Sequence, residues 1–334
     1  MKYDPRGENN TSGADSGVTG SQLAGPLGRR RRVGDRMMIP TEDETLHWLI
    51  TDDGSRTLID DAVDQSYHSA SGAIAESLHV YLRNSQALRR LGNGQPTRLL
   101  EVGFGTGTNM ILTAAMARAR STPLEYVGLD QRWLPPSLLS QLDWGQATDK
   151  ALAMHPELAA DLPPHFPLEV ARVQEQFLRH WSAGWSHSVA ENRRELGVRP
   201  GLPAAATALL AGDSLPEASS VVSLHIPVSH RVQVTVLRMD VATLGASRNL
   251  PSELFDGIYF DPFSPDKNPD VWTTDVLRAM RRLVTSTGRL TSYCVRRTVR
   301  DALRDVGFSP QCVPGPPGGK RQVLLAIPTI GLLP

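Results

Sequence analysis

Apolar and polar residues in the central part of the chain alternate between two periods, one typical of strands and one typical of helices. Short apolar runs at 97–102 (TRLLEV), 124–130 (LEYVGLD), 231–240 and 255–261 predict buried strands. Between the first two, the segment 107–119 (GTNMILTAAMARA) has helical length and composition. Strands that alternate with helices predict an α/β fold with a mainly parallel sheet and helices on both faces.

The C-terminal part continues this alternation and ends in a pair of strands. A helix is predicted at about 272–285, a strand at 288–295 (GRLTSYCV) and another helix that ends at Asp305. The last two strands, about 309–313 and 321–327, are separated by the short segment PGPPGGK. Such a short connection predicts antiparallel pairing, so the parallel sheet is expected to have an antiparallel edge.

Residues 41–95 precede the alternating region and show a different pattern. From Thr45 the segment LHWLITDDGSRTLID alternates like two strands, and Asp53-Gly54 at its middle predicts a hairpin turn. Apolar positions of the next stretch recur at helical spacing: Ile74, Leu78, Tyr81 and Leu82. The sequence therefore predicts a small N-terminal module of a hairpin and a helix, followed by one larger domain over residues 96–330.

Two segments fit neither pattern. Residues 1–40 are rich in Gly, Ser, Asn and Arg and lack apolar periodicity, so they are expected to be a disordered tail. The arginine run 29–32 in this tail is interpreted as solvated charge in preference to a phosphate contact. Residues 144–225 contain helical fragments among Pro, Ala, His and Trp, and predict a largely helical insertion. This insertion either shapes the substrate site or is a surface feature without function.

Composition narrows the class of protein. The 334 residues carry 35 basic and 35 acidic side chains, so no global field indicates a nucleic-acid partner. The two cysteines, Cys294 and Cys312, have neither metal-site nor disulfide-framework spacing. No apolar run approaches the roughly 20 residues that span a bilayer, and no signal sequence is visible. These features predict a cytoplasmic protein without a membrane partner or a metal.

A glycine-rich segment supplies the first candidate chemistry. LLEVGFGTGTN places Gly103, Gly105 and Gly107 between the first strand and its helix, where backbone can approach a ligand at a helix N-terminus. Thr108 stands where a dinucleotide fold has its third glycine. Glu101 ends the strand, and its carboxylate can attract a cationic amino group directly or through water. The segment therefore favours S-adenosylmethionine over a nicotinamide dinucleotide.

Two further acids end neighbouring strands. Asp130 lies where a carboxylate can bond both ribose hydroxyls, and Asp240 lies where an acid can read an adenine amine. Each acid alone is explained equally well by a helix cap or a solvated strand end. In register with a glycine loop, the three acids favour a nucleoside-binding site.

Several motifs together resemble the MnmC-like methyltransferase family. They are EVGFGTGTN, YVGLDQ, FDPFSPDKNPDVWT, SYCVRRTVRDALRDVGF, GGKRQVLLAIP and the upstream TDDGSRTLIDDAVDQSYHSASGAIAESLHVYL. The resemblance covers about 45–142 and 232–327. It implies a Rossmann-like methyltransferase fold, S-adenosylmethionine as methyl donor, and transfer to the amine of 5-aminomethyl-uridine at the tRNA wobble position. No counterpart of a flavin oxidoreductase half is present in the sequence, so FAD is not expected.

Residue by residue, the resemblance matches the three glycines to the cofactor loop of the family, Asp130 to its ribose-side acid and Asp240 to its adenine-side acid. Glu76, in GAIAES, matches an acid near the amino end of the cofactor, and Asp261 matches the acid at the reacting amine. An acid at a strand end could take the proton of an alkylammonium ion, which suits Asp261 as the catalytic residue. Candidate contacts with the substrate, weighed against core packing and surface charge, are Phe263, Lys267, Trp272, Lys320 and Arg321.

Three other functions compete with this one. A methyltransferase of the same fold could act on another amine. An aminopropyltransferase shares the fold, but its glycine-glycine-glycine-acid loop is absent here. A non-catalytic RNA-binding protein with a degenerate cofactor fold is the third, and Asp261 and the intact glycine loop disfavour it.

Overall fold

Two sheets organise the chain in the computed structural model, which describes residues 32–33, 36–190, 202–211, 222–247 and 249–329. The small antiparallel sheet consists of β1 (Arg32–Val33), β2 (Arg36–Pro40), β3 (Leu46–Ile50), β4 (Arg56–Asp60) and β5 (Gln65–Ser66). The large sheet consists of β6 (Thr97–Val102), β7 (Leu124–Asp130), β8 (Val222–Pro227), β9 (Val232–Arg238), β10 (Phe255–Phe260), β11 (Val284–Ser292), β12 (Phe308–Pro314) and β13 (Gln322–Pro328).

The large sheet has the order β12-β13-β11-β10-β6-β7-β9-β8. Its five central strands, from β11 to β9, are parallel. Strand β13 runs antiparallel to both β11 and β12. The prediction of a mainly parallel sheet with an antiparallel edge is therefore confirmed.

Strand β8 was not predicted and corrects the extent of the helical insertion. It pairs antiparallel with β9, from Val222 opposite Arg238 to Pro227 opposite Gln233. Only Leu224 and Ile226 of this strand are buried, because an edge strand packs on one face alone. Such a short alternation becomes recognisable as a strand only next to its partner.

Helices cover both faces of the large sheet. In chain order the helices are α1 (Ala73–Glu76), α2 (Ala87–Gly92), α3 (Thr108–Ala119), α4 (Pro136–Leu139), α5 (Trp144–Met154), α6 (Phe166–Ala190), α7 (Ala204–Leu210), α8 (Ala242–Ala246), α9 (Thr274–Leu283) and α10 (Arg297–Asp305). The successive residues Leu99 and Leu100 of β6 belong to two different core clusters, one on each face. Both faces are therefore buried, which explains why the parallel strands are almost continuously apolar.

The segment predicted as an insertion packs against the large sheet. Helix α6 lies against α3, and its Phe177 and Trp181 form ring contacts with Phe104 of the glycine segment at 6.1 and 5.7 Å between centroids. A 3-10 turn, Pro156–Ala159, separates α5 from α6. No helix within the described residues is long and apolar enough to cross a membrane.

The N-terminal module contains the predicted hairpin and helix. Strands β3 and β4 flank Asp53-Gly54, and α1 continues into a wider π-helical segment, Ser77–Arg83. The predicted tail ends earlier than residue 40, because β2 pairs with β3 through Ile39 and Trp48. Residues 1–31, which include most of the arginine run, lie outside the described residues.

Candidate functional site

A cavity of about 570 Å³ opens at the carboxyl ends of β6, β7, β9 and β10. Ligands bind on this side of open α/β sheets, where loops diverge from neighbouring strands. The N-terminal module covers the other side of the cavity, so the site has a floor of strand ends and a roof from that module. Nine predicted residues line it: Glu76, Gly103, Gly105, Asp130, Asp240, Asp261, Phe263, Lys267 and Lys320.

The glycine loop is shaped by close approach of backbone. Gly103 has φ +87°, and a Cβ atom there would lie 2.5 Å from the backbone oxygen of Asp261. Only a residue without a side chain allows β6 and β10 to exit the sheet so close together. A Cβ atom at Gly105 would lie 3.0 Å from the ring of Tyr67 in the roof. Gly107 instead caps the N-terminus of helix α3, faces the ring of Phe104 and does not line the cavity.

Asp130 is held in a fixed orientation by backbone groups. Its Oδ2 accepts a hydrogen bond from the Gly105 amide at 2.8 Å, and its Oδ1 accepts one from the Arg132 amide at 2.9 Å. Removal from water raises the pKa of this carboxyl, and the backbone donors partly oppose that shift. Each carboxylate oxygen keeps a lone pair that a ribose hydroxyl could use.

The apolar part of the floor lies beside Asp240. Met239 and Val241 are buried and line the cavity, whereas Asp240 is exposed and accepts a hydrogen bond from the Ala242 amide at 2.9 Å. The backbone of the glycine loop, the carboxylate of Asp130 and an apolar wall with an acid at its edge fit an adenosine group. The residues present are thus compatible with S-adenosylmethionine.

Asp261 lies at the end of β10 with its carboxyl group directed to buried donors. Its amide donates to the Val102 carbonyl at 2.8 Å, which fixes the start of the loop. The Tyr81 hydroxyl donates to Oδ1, and the Asn109 side-chain amide donates to Oδ2 at 3.0 Å. Burial raises the pKa of this carboxyl well above its usual range, and the nearby negative Glu76 adds to the rise. A carboxylate with a raised pKa is a stronger base near neutral pH.

Glu101 is placed differently from the sequence-based expectation. It is fully buried and does not line the cavity. Its Oε1 accepts from Asn109 at 2.8 Å, and its Oε2 accepts from the Tyr126 hydroxyl at 2.7 Å. The carboxyl therefore lies beneath the floor, where it contacts Asn109 instead of a bound ligand. Burial raises its pKa well above the usual range.

The three predicted cations have different surroundings. Lys320 points into the cavity, with Nζ 3.4 Å from Glu76 Oε1 and 4.0 Å from the centre of the Tyr293 ring. Lys267 also lines the cavity, and its Nζ lies 2.9 Å from Asp64 Oδ2. Arg321 is exposed and lies off the cavity wall. Lys320 thus lines the cavity beside Glu76 while its side chain stays exposed to solvent.

Only one of the two predicted aromatic residues lines the cavity. Phe263 lines the cavity and meets Tyr67 edge to face at 5.2 Å. Trp272 is buried off the wall, where it packs on Phe260 at 5.0 Å and donates to the Phe263 carbonyl at 2.7 Å. Trp272 therefore supports the loop that carries Phe263, and its indole does not reach the cavity.

Several residues of the site were not identified from the sequence. Gln65 accepts a hydrogen bond from the Ser264 amide at 3.0 Å, and the Tyr293 hydroxyl donates to the Pro262 carbonyl at 2.9 Å. In the sequence, Tyr81 is one of the apolar positions of a predicted helix, and Asn109 is part of another predicted helical segment. The signal in the sequence is a polar atom on an otherwise apolar helical face, and this signal does not specify the hydrogen-bond partner.

His68 lines the cavity, whereas Cys294 is buried and Cys312 is partly buried, both off the cavity wall. His68 is buried with Nε2 3.2 Å from the Thr106 hydroxyl, and desolvation lowers its pKa, which favours the neutral ring. Cys294 and Cys312 are free thiols. Within the described ranges, no group of three or more His, Cys, Asp or Glu residues is arranged to hold a metal ion.

Comparison with known proteins agrees with a site for S-adenosylmethionine. Residues 214–328 match a family described as S-adenosyl-L-methionine-dependent methyltransferase. The MnmC protein of Burkholderia vietnamiensis is 27% identical over 271 residues, which cover 79% of this chain and 32% of that protein. The chain is thus similar in sequence to MnmC proteins over about four fifths of its length.

Two further relatives define the extent of this MnmC-like region. The MnmC protein of Burkholderia multivorans is 29% identical over 290 residues, covering 82% of this chain and 33% of that protein. The chain thus spans about a third of the length of the curated relatives it matches. The crystal structure of MNMC2 from Aquifex aeolicus shares the fold, with a TM-score of 0.54, 21% identity and coverage of 87% of this chain and 74% of that one. The Rossmann-like methyltransferase fold is therefore confirmed.

Proposed function

We propose that the chain is an S-adenosylmethionine-dependent N-methyltransferase that acts on the 5-aminomethyl group of the tRNA wobble uridine. One observation carries the proposal: Asp261, a half-buried acid whose pKa is raised by removal from water, shares a cavity with the glycine loop and Asp130. The related proteins are named for tRNA 5-methylaminomethyl-2-thiouridine biosynthesis, which agrees with an aminomethyl acceptor.

The methyl donor would occupy the floor of the cavity. Gly103 and Gly105 would lie along it, Asp130 would bond the ribose, and Asp240 would face the adenine edge, with Glu76 near the cationic amino end. When bound, S-adenosylmethionine supplies a methyl group that forms a bond to the amine nitrogen as its bond to sulfur breaks, leaving a neutral thioether.

The main task of the protein is to provide a neutral amine. An alkylamine is mostly protonated at neutral pH, and a protonated nitrogen has no lone pair for the displacement. Glu76 and Asp261 give the cavity negative charge that attracts the ammonium form. Asp261 then accepts one proton from nitrogen, and its raised pKa favours that transfer. Phe263 on the wall limits the space available to the amine and excludes water.

A tRNA acceptor also needs contacts outside the cavity. Lys267, at the rim, and the exposed Arg321 are candidates for phosphate contacts, which add affinity that falls as salt rises. An enzyme of this kind would meet its tRNA in the cytoplasm.

The test is methyl transfer from labelled donor to tRNA that carries 5-aminomethyl-uridine. Matched tRNA without the aminomethyl group and a free alkylamine serve as alternative acceptors. The wild-type protein is expected to label only the aminomethylated tRNA. Asp261→Ala is expected to lower kcat/KM by about 10²- to 10⁴-fold, which is the usual contribution of a general base. Donor binding, followed by calorimetry, should persist in this variant.

Each failure of the test has a separate meaning. Labelling of free amines with none of the tRNA would replace the proposed acceptor by another amine. Donor binding without transfer to any acceptor would favour a non-catalytic binding protein. Full activity of Asp261→Ala would remove the proposed role of this residue and leave the fold unaffected.

A further inference from the structure

A continuous row of hydrogen-bonded side chains runs beneath the candidate site. In order, its members are Tyr81, Asp261, Asn109, Glu101 and Tyr126. The two acids come from neighbouring parallel strands, β6 and β10, while Asn109 comes from the first turn of α3. Every link joins residues on different elements of the fold, so the row forms only after the domain has assembled.

The donors in this row are limited in number. A side-chain amide has two N–H bonds, and Asn109 Nδ2 donates to Glu101 Oε1 at 2.8 Å and to Asp261 Oδ2 at 3.0 Å. Each of these two oxygens therefore accepts one N–H bond from the same amide group. The other oxygen of Asp261, Oδ1, accepts from the Tyr81 hydroxyl, so each oxygen of this carboxyl group has its own donor.

The orientation of Asn109 follows from the same acids. Its side chain is buried, and its Oδ1 has no hydrogen-bond partner within the described residues. Rotating the amide by half a turn would place this oxygen against two carboxylates, which is strongly unfavourable. The two acids thus fix the amide, and the amide in turn fixes the plane of the Asp261 carboxyl group.

We propose that Tyr81 and Asn109 are positioning residues that hold Asp261 for proton acceptance, and that Glu101 acts on Asp261 through Asn109. The proposal rests on the proposed function for its kinetic consequence. It also makes a statement about Asp261 alone: two buried donors stabilise its ionised form in one orientation. Without them, the carboxyl would be both more basic and free to rotate.

Other charged and titratable groups face Asp261 and must be held constant in any test. From the elements packed around it, they are Glu76, Tyr81, Glu101, Tyr293 and Lys320. Glu76 disfavours the ionised carboxyl and Lys320 favours it. Replacing a tyrosine hydroxyl by hydrogen leaves all of these charges in place.

The chain contains a matched control for Tyr81. Tyr259 is buried in the same aromatic layer, with its ring 5.5 Å from that of Tyr81. Its hydroxyl lies 3.2 Å from the Thr113 hydroxyl and makes no hydrogen bond to Asp261. Tyr81→Phe and Tyr259→Phe therefore remove the same atom from similar surroundings, and only the first removes a donor from Asp261.

The decisive measurement is the titration of the Asp261 carboxyl carbon by NMR in full-length protein labelled with ¹³C at aspartate. The signal is assigned by its loss in Asp261→Asn. The midpoint is expected to move to higher pH in Tyr81→Phe, because a donor to the ionised form is lost, and to stay in place in Tyr259→Phe. Asn109→Ala, a second variant, is expected to move it in the same direction.

Methyl transfer supplies the second readout. In Tyr81→Phe the acid-side midpoint of the pH profile of kcat/KM should rise with the titration midpoint, and kcat/KM at neutral pH should fall about tenfold. The titration needs neither donor nor tRNA, so it remains informative if no acceptor is methylated. Equal midpoints in wild type, Tyr81→Phe and Asn109→Ala would overturn the proposal. An equal shift in Tyr259→Phe would also overturn it, because the effect would then belong to the aromatic layer as a whole.

Discussion

The floor and the roof of the cavity are built by different kinds of contact. In the floor, backbone meets backbone: the exits of β6 and β10 approach so closely that Gly103 has no room for a Cβ atom. In the roof, single side chains of the N-terminal module reach across, as in the hydrogen bond between Ser264 and Gln65 and the contact between His68 and Thr106. The floor should therefore tolerate almost no change, whereas each roof contact should be replaceable at modest cost.

Substitution of Gly103 is expected to have the largest effect on stability. Gly103→Ala combines a positive φ with a collision against the Asp261 backbone, and should lower the free energy of unfolding by about 3 kcal/mol. Gly94→Ala is the matched control, since Gly94 has φ +73° and no atom within 4 Å of its Cβ position. That variant should lose only about 1 kcal/mol. Urea unfolding measures both, and equal losses would show that the floor is not tightly packed.

A smaller effect is expected from the link between roof and floor. Gln65→Ala leaves the Ser264 amide without its acceptor, which should cost about 1 kcal/mol and loosen the loop after Asp261. The rate of methyl transfer should fall about tenfold because the carboxyl group is less well positioned.

Gln141 provides the comparison for Gln65. Its Oε1 accepts from the Trp48 indole at 3.0 Å, which also ties the N-terminal module to the body, but away from the cavity. Gln141→Ala should show a similar loss of stability in urea and an unchanged rate. A rate loss in both variants would mean that docking of the module in general, and not Gln65 itself, positions the loop.

The smallest effect is expected at the ion pair between Arg132 and Asp43, at the edge of the cavity. Arg132, which follows β7, lies 2.8 Å from Asp43 and 2.7 Å from Asp60. Hydrogen bonds from Thr45 hold the pKa of Asp43 below its usual value, and the Arg132 charge adds to this. Because both partners are partly exposed, Asp43→Asn should lower stability at pH 7 by less than about 0.5 kcal/mol.

The pH dependence of this difference has a definite sign. A carboxyl with a depressed folded-state pKa stabilises the fold above its unfolded value of 3.8, and this contribution disappears as pH falls through the folded value. Wild type and Asp43→Asn should therefore converge at low pH, and also in about 1 M salt, where screening is strong. A difference that survives both conditions in thermal unfolding would point to packing instead of charge.

The floor was the predictable half of the site. Gly103, Gly105, Asp130 and Asp261 all occupy strand ends or turns, whose position in a parallel sheet follows from the order of strands and helices. Of the residues in the roof, only Glu76 was predicted as a site residue, and that prediction came from the family resemblance. Gln65 and Tyr81 escaped notice because their partners lie 199 and 180 residues away.

The predicted site residues that do not line the cavity show the same limit of prediction from sequence. Glu101 and Trp272 have the residue types of a binding site, and the structure gives each of them a supporting position, under Asn109 and behind Phe263. Lys320, considered from the sequence as a phosphate contact or ordinary surface charge, is exposed and lines the cavity beside Glu76. Strand β8 was missed because its short alternation depends on pairing with β9.

The sequence by itself determined the alternating α/β order, the glycine turn and the acids at the strand ends, because these depend on local periodicity and on where strands stop. Only the tertiary structure decided which acid faces the cavity and which lies beneath it. That choice depends on the donors that approach from other elements: Asn109 and Tyr126 satisfy both oxygens of Glu101, whereas Tyr81 and Asn109 leave Asp261 on the cavity wall. A carboxylate's role is set by the hydrogen-bond donors around it, and these come together only when the chain is folded.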